Sequence, residues 1–161
     1  MFVDRVTELE ALERAYAASA PQLVILYGRR RVGKTALVRE FIRNKSAIYY
    51  AATRLPEPLQ LRELGQAVGA LLDDPLLRET GFASWAQFFP YVARIDERVV
   101  LVIDEFPFLV EANGAVSSLW QRGWDEHLQH SRVCAILLGS SVGMMERETL
   151  DEQEILAVTG L

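Results

Sequence analysis

The chain has 161 residues, 50% of them hydrophobic and 24% charged, with a formal net charge of −5. That length suits one domain around one core, and the acidic balance gives no bulk support for a nucleic-acid partner. No apolar run nears the ~20 residues a bilayer crossing needs, the opening Met1-Phe2-Val3-Asp4-Arg5 lacks the layout of a signal peptide, and the single Cys134 cannot form an intrachain disulfide. A cytoplasmic protein with no membrane partner is therefore expected.

In chain order, Thr7 and Glu10 read as a capping-box pair opening a helix that turns Leu9, Leu12 and Tyr16 inward. Gln22–Tyr27 follows as an apolar run without polar alternation, the pattern of a strand covered on both faces. Lys34–Arg43 has helical spacing through Leu37, Val38, Phe41 and Ile42. Ala47–Ala52, carrying Ile48, Tyr49 and Tyr50, is a less pure strand.

Leu61, Leu64, Val68 and Leu71 mark a third helix, and Ser84 with Gln87 caps a fourth that bears Trp85, Phe88, Phe89 and Val92. Pro90 is expected to kink or interrupt that helix. Val99–Ile103 and Val133–Leu138 are two further buried strands, flanking a fifth helix over Ser117–Gln129 in which Trp120 and Trp124 serve as core aromatics. Strands alternating with helices predict an α/β fold around a mostly parallel sheet.

Directly after the first strand stands Gly28-Arg29-Arg30-Arg31-Val32-Gly33-Lys34-Thr35. It matches the phosphate loop G-x-x-x-x-G-K-[ST] in the required setting of strand, loop and helix. Glycines let the backbone curl so that successive N–H groups face an anion, and the following helix adds the partial positive charge of its N-terminus. Lys34 is the candidate for the β- and γ-phosphates of ATP, and the Thr35 hydroxyl for Mg²⁺. The three arginines read as solvated loop residues that raise the local potential.

The run Val99–Ile103 ends in Asp104-Glu105. A strand of a parallel sheet delivers such residues to its carboxyl edge, where α/β folds collect phosphates. Asp104 is the candidate Mg²⁺ ligand opposite Thr35, and Glu105 the group that polarises a water for attack on the γ-phosphate. The other acidic pairs, Asp73-Asp74, Asp96-Glu97, Asp125-Glu126 and Asp151-Glu152, follow no such strand and read as surface charge.

The third buried strand ends in Gly139-Ser140-Ser141. Ser140 or Ser141 is a candidate for contact with the γ-phosphate or the attacking water, and a plain turn with a helix cap is the equal alternative. His127 and His130 lack companion ligands and read as surface or helix-end residues. Cys134 reads as a small buried hydrophobe.

The pattern resembles the AAA-type ATPases of the archaeal-ATPase family, related to the STAND switch ATPases. The resemblance runs from Phe2 to about Arg147 and rests on Phe2-Val3-Asp4-Arg5 with Glu8-Leu9, the Gly28–Thr35 loop, Leu101–Phe106, and Leu138-Gly139-Ser140-Ser141. It implies a P-loop fold of AAA-type strand order with the ATP site at its carboxyl edge. Val3, Asp4 and Arg5 would lie by the adenine, Gly28–Thr35 with Ala36 would bind phosphates, Asp104 would hold Mg²⁺, Glu105 would be the general base, and the Gly-Ser-Ser tip the sensor.

Such proteins continue into a further strand, a helical lid and an effector domain, whereas Glu154–Leu161 departs from the expected continuation. A truncated core lacking the final strand, the lid and an arginine finger is the resulting expectation. Homo-oligomer or effector contacts would belong to those missing domains. The function implied is Mg²⁺-dependent ATP hydrolysis coupled to a conformational switch. The alternatives are a nucleotide-dependent scaffold with negligible turnover and, further off, a small-molecule kinase. A GTPase is disfavoured because Asn44-Lys45-Ser46-Ala47 lacks the aspartate that reads guanine and comes too early in the chain.

Overall fold

Among the described residues, five parallel strands form one sheet in the order β2-β3-β4-β1-β5. They are β1 Gln22–Tyr27, β2 Ala47–Ala51, β3 Val99–Asp104, β4 Val133–Gly139 and β5 Glu154–Ala157. The computed structural model describes residues 6–18, 20–28, 33–140 and, for the backbone alone, 154–157. The four strands read from the apolar runs are present with boundaries shifted by at most one residue.

β5 corrects the expectation that the final strand is missing. Glu154–Ala157 pairs in parallel with β1, in the register Val24↔Glu154 to Tyr27↔Ala157. Without it β1 would be an edge strand with unpaired backbone groups, although Leu23–Leu26 is buried throughout. The apolar-run reading failed at β5 because the segment is short and opens on Glu154.

Helices cover both faces. Residues one apart along a strand point to opposite sides, so β1 sends Leu23 and Ile25 to one face and Val24 and Leu26 to the other. The first face is covered by α3 Glu57–Leu72, α4 Pro75–Thr80, α5 Trp85–Ala93, α6 Pro107–Ala112 and α7 Val116–Glu126. The second is covered by α1 Val6–Ala17 and α2 Lys34–Ile42, through Leu12, Leu37, Val38 and Phe41. Cys134 is fully buried in this second layer, as expected of a small hydrophobe.

Several local readings need revision. Thr7 lies inside α1, not at its cap, because the helix already includes Val6. α5 runs through Pro90 without ending there. One backbone bond is forfeited at the proline, but the same helix buries Trp85, Phe88, Phe89 and Val92 against the sheet. Ser84 does cap it, accepting from the Gln87 N–H at 3.2 Å, while the Gln87 side chain accepts from Ala83 N.

The helix expected over 117–129 stops at Glu126, and a 3₁₀ turn over Leu128–His130 completes it. α4 and α6 have six residues each, too few for a helical period to stand out in sequence. Asp74, read as surface charge, caps α4 by accepting from Leu77 N at 3.1 Å and also takes the Tyr91 hydroxyl at 2.6 Å. Burial and then that carboxylate push the Tyr91 hydroxyl up to about 12. Among the described residues no helix is long and apolar enough to cross a membrane.

Candidate functional site

The carboxyl ends of β1, β3 and β4 meet in a row, because β3, β4 and β1 are consecutive in the sheet. Their tips are tied together: Gly28 N donates to Gly139 O at 3.3 Å, and Phe106 N to Leu138 O at 2.8 Å. The loop leaving β1 returns as α2, whose cap Gly33 has φ 87°. That left-handed conformation is open to glycine at little cost. No acidic residue occupies the first turn of α2, so the helix itself sets no negative charge at the positive end of its dipole.

Lys34, the first residue of α2, is 94% buried, and its Nζ donates to Gly28 O at 2.8 Å. The ammonium thus reaches back to Gly28, the residue that follows β1. Burial pulls the Lys34 ammonium below its ordinary value, while the negative charges of Glu105 and Asp104 push it back up.

Thr35 follows on the same turn and donates from Oγ1 to Asp104 Oδ2 at 2.9 Å. Residues 69 apart in sequence therefore converge at one oxygen. Asp104 is 95% buried at the end of a wholly buried strand. A threonine hydroxyl and an aspartate carboxylate are hard oxygen donors, the chemistry Mg²⁺ selects. The pair fits a divalent cation held between the phosphate loop and β3.

Glu105 leaves the strand in a left-handed conformation, φ 57°, and its Oε1 accepts from Ser140 Oγ at 2.8 Å. Ser140 follows the last residue of β4. The structure thus brings together Lys34, Thr35, Asp104, Glu105 and Ser140. Gly28 and Gly33 lie at the two ends of the loop, and Ala36 is exposed on the first turn of α2. Val3, Asp4, Arg5, Arg29, Arg30, Arg31, Val32 and Ser141 lie outside the described residues.

One member of this cluster was not singled out from the sequence. The Tyr49 hydroxyl donates to Asp104 Oδ2, the same oxygen that Thr35 uses. The Arg39 guanidinium lies 4.4 Å from the centre of its ring. Burial, then the Asp104 acceptor, hold the Tyr49 hydroxyl well above its ordinary value, so it remains a proton donor. The available signal was strand parity: Tyr49 pairs with Val102, two residues before Asp104 on the same face. That signal becomes readable only once β2 is known to lie beside β3.

Among the described residues no cluster of three or more His, Cys, Asp or Glu could hold a metal ion, so neither His127 nor His130 belongs to one. Lys45, in the guanine-motif lookalike, is engaged elsewhere, at 2.8 Å from both Glu13 Oε1 and Phe41 O.

A family model described as an ATPase domain predominantly from Archaea matches residues 2–157. The match extends through β5, beyond the segment that the resemblance alone covered. An uncharacterised protein of Methanocaldococcus jannaschii is 34% identical over 150 residues, which is 93% of this chain and 32% of that protein. An uncharacterised ATP-binding protein of the same organism is 58% identical over 45 residues, 28% of this chain and 76% of that protein.

Among solved structures, a Walker-type ATPase of Pyrococcus abyssi superimposes with a TM-score of 0.66 at 19% identity, over 97% of this chain and 53% of that one. A chain of the Drosophila ORC bound to DNA does so with a TM-score of 0.73 at 18% identity, over 98% of this chain and 43% of that one. These two establish likeness of fold. The chain spans about a third of the length of the first relative. With its P-loop sheet order and a family match over nearly its whole length, the chain belongs to the family of ATPase domains found predominantly in Archaea.

Proposed function

We propose that this chain binds ATP with Mg²⁺ at the carboxyl edge of the sheet and hydrolyses it, with the nucleotide state read out at the β4 tip. The observation that carries the reading is the 2.9 Å contact between Thr35 Oγ1 and Asp104 Oδ2, which joins the phosphate loop to the acidic strand. Family membership supports nucleotide binding; the division of labour among the residues is inferred from their chemistry.

Lys34 exchanges its bond to Gly28 O for the β- and γ-phosphate oxygens, helped by the N-terminus of α2. Thr35 and Asp104 would hold the cation, which would supply positive charge to offset that of the phosphates. Glu105 accepts the proton of the attacking water, and Ser140 sets the direction of its carboxylate. Loss of the γ-phosphate then alters the surroundings of Glu105, and through Ser140 those of the β4 tip.

The test is ATP affinity and single-turnover phosphate release in two variants. Lys34→Ala is expected to lose ATP binding by at least a hundredfold, since a buried charge pairing with phosphate is worth about 3 kcal/mol or more. Glu105→Gln is expected to keep ATP affinity and lose release. Unchanged ATP affinity in Lys34→Ala would refute the phosphate-loop reading.

A further inference from the structure

Asp104 Oδ2 accepts from two hydroxyls, one on α2 and one on β2. The α2 donor is Thr35, whose oxygen the proposed function assigns to the cation. The β2 donor, Tyr49, has no part in that assignment. We infer that Tyr49 is a positioning residue for the cation site, its hydroxyl fixing the Asp104 carboxylate in the orientation that meets the cation beside Thr35. This inference rests on the reading of Asp104 as the cation's protein ligand.

Three features of the structure carry it. Strand register comes first: β2 pairs with β3 so that Tyr49 stands opposite Val102, and the side chain reaches forward to the carboxylate two residues on. The second is the clamp on the ring. Arg39 lies one helical turn beyond Thr35 on α2, and its guanidinium stacks on Tyr49 at 4.4 Å. One helix therefore supplies both the second donor to Asp104 and the lid over the tyrosine ring.

The third feature is the identity of the shared atom. A threonine that lends its oxygen to a cation directs its proton elsewhere, and Asp104 Oδ2 is placed to take it. A second donor on that same oxygen removes the remaining freedom of the carboxylate to rotate. Carboxylates that ligate metals are commonly held this way by an outer hydrogen bond. A purely packing role would need the ring but not the hydroxyl.

Tyr49→Phe separates those roles, because it keeps the ring and the Arg39 stack and removes only the donor. Tyr49→Leu removes both, and Asp104→Asn tests the reading beneath. The readouts are ATP affinity in EDTA, ATP affinity across a Mg²⁺ titration, and Mn²⁺ binding to the ADP-loaded protein by electron paramagnetic resonance. For Tyr49→Phe, affinity in EDTA should match the wild type, while the Mg²⁺ midpoint and the Mn²⁺ dissociation constant rise about tenfold, the lower end of outer-ligand effects on metal affinity.

Wild-type Mg²⁺ and Mn²⁺ behaviour in Tyr49→Phe, with loss only in Tyr49→Leu, would overturn the inference in favour of packing. Equal weakening of ATP binding with and without the cation in Tyr49→Phe would overturn it too. If Asp104→Asn alters cation dependence and Tyr49→Phe does not, the inference fails and the proposed function stands. If Asp104→Asn leaves cation dependence unchanged, the ligand reading falls and the inference falls with it.

Discussion

Replacing Ser140 by alanine removes one hydrogen bond, 2.8 Å long, to the Glu105 carboxylate and nothing larger than an oxygen atom. A bond to an ionised group contributes about 1.5–3 kcal/mol when well shielded. Ser140 and Glu105 are both only half-buried, so the lower end applies. About 1.4 kcal/mol is a tenfold change in rate. If Ser140 directs Glu105 toward the attacking water, Ser140→Ala should lower the single-turnover rate of phosphate release about tenfold and leave ATP affinity unchanged.

The decisive comparison is the cycle with Glu105→Gln. Because the serine is proposed to act through the glutamate, its removal should cost little once the carboxylate is gone. Single-turnover release with excess protein measures the slow variants without contamination from multiple cycles. A rate unchanged or raised in Ser140→Ala would show that the bond restrains Glu105 and does not align it. The same tenfold loss in the Glu105→Gln background would show that Ser140 acts independently of Glu105.

Two further predictions concern stability. Asp73 ends α3 with φ 53° and stands exposed, its negative charge at the negative end of the helix dipole. Asp73→Gly should relieve both penalties and raise the melting temperature by about 1–3 °C, from a gain near 0.5–1 kcal/mol; a lower temperature would refute the strain argument. Gly123 on α7 packs so closely that an added Cβ would lie 2.4 Å from Phe89 Cγ. Phe89 is itself boxed in by Trp120, at 5.1 Å between ring centres. Gly123→Ala should therefore cost about 1–3 kcal/mol in urea denaturation despite the better helix propensity of alanine. Equal or greater stability would show that the ring can move aside.

The parts of the site legible in the sequence are those whose chemistry is local. Gly28, Gly33, Lys34 and Thr35 lie within eight residues of each other, and the strand–loop–helix context is set by apolar periodicity alone. Asp104 was readable because β3 is buried on both faces and leaves a continuous run of Val, Leu and Ile before it. The Ser140–Glu105 bond was half legible: the serine stood out, but its partner depends on β4 lying beside β3. Tyr49 was not singled out, because its role depends on the β2–β3 register, a non-local fact. β5, at four residues, and the short helices α4 and α6 are specified by what they pack or pair against, so their own periodicity carried too little signal.

The separation of Asp104 from Glu105 follows from strand parity and one strained residue. Asp104 continues the face of Val100 and Val102, which looks toward α2, and so it meets Thr35. Had the strand continued, Glu105 would have pointed to the opposite face, into the layer of Trp120 and Phe89, where a carboxylate would lose its hydration. The left-handed turn at Glu105 breaks the alternation at a cost of about 1–2 kcal/mol. It lets Phe106 take a buried place, 2% exposed and edge-on to Trp120 at 6.0 Å, while Glu105 stays at the strand tips beside Ser140. Burying an aromatic ring stabilises by about 1.5–3 kcal/mol, enough to offset that strain. Two neighbouring carboxylates thus meet different partners, Thr35 and Ser140, because the apolar residue after them fastens the turn at Glu105.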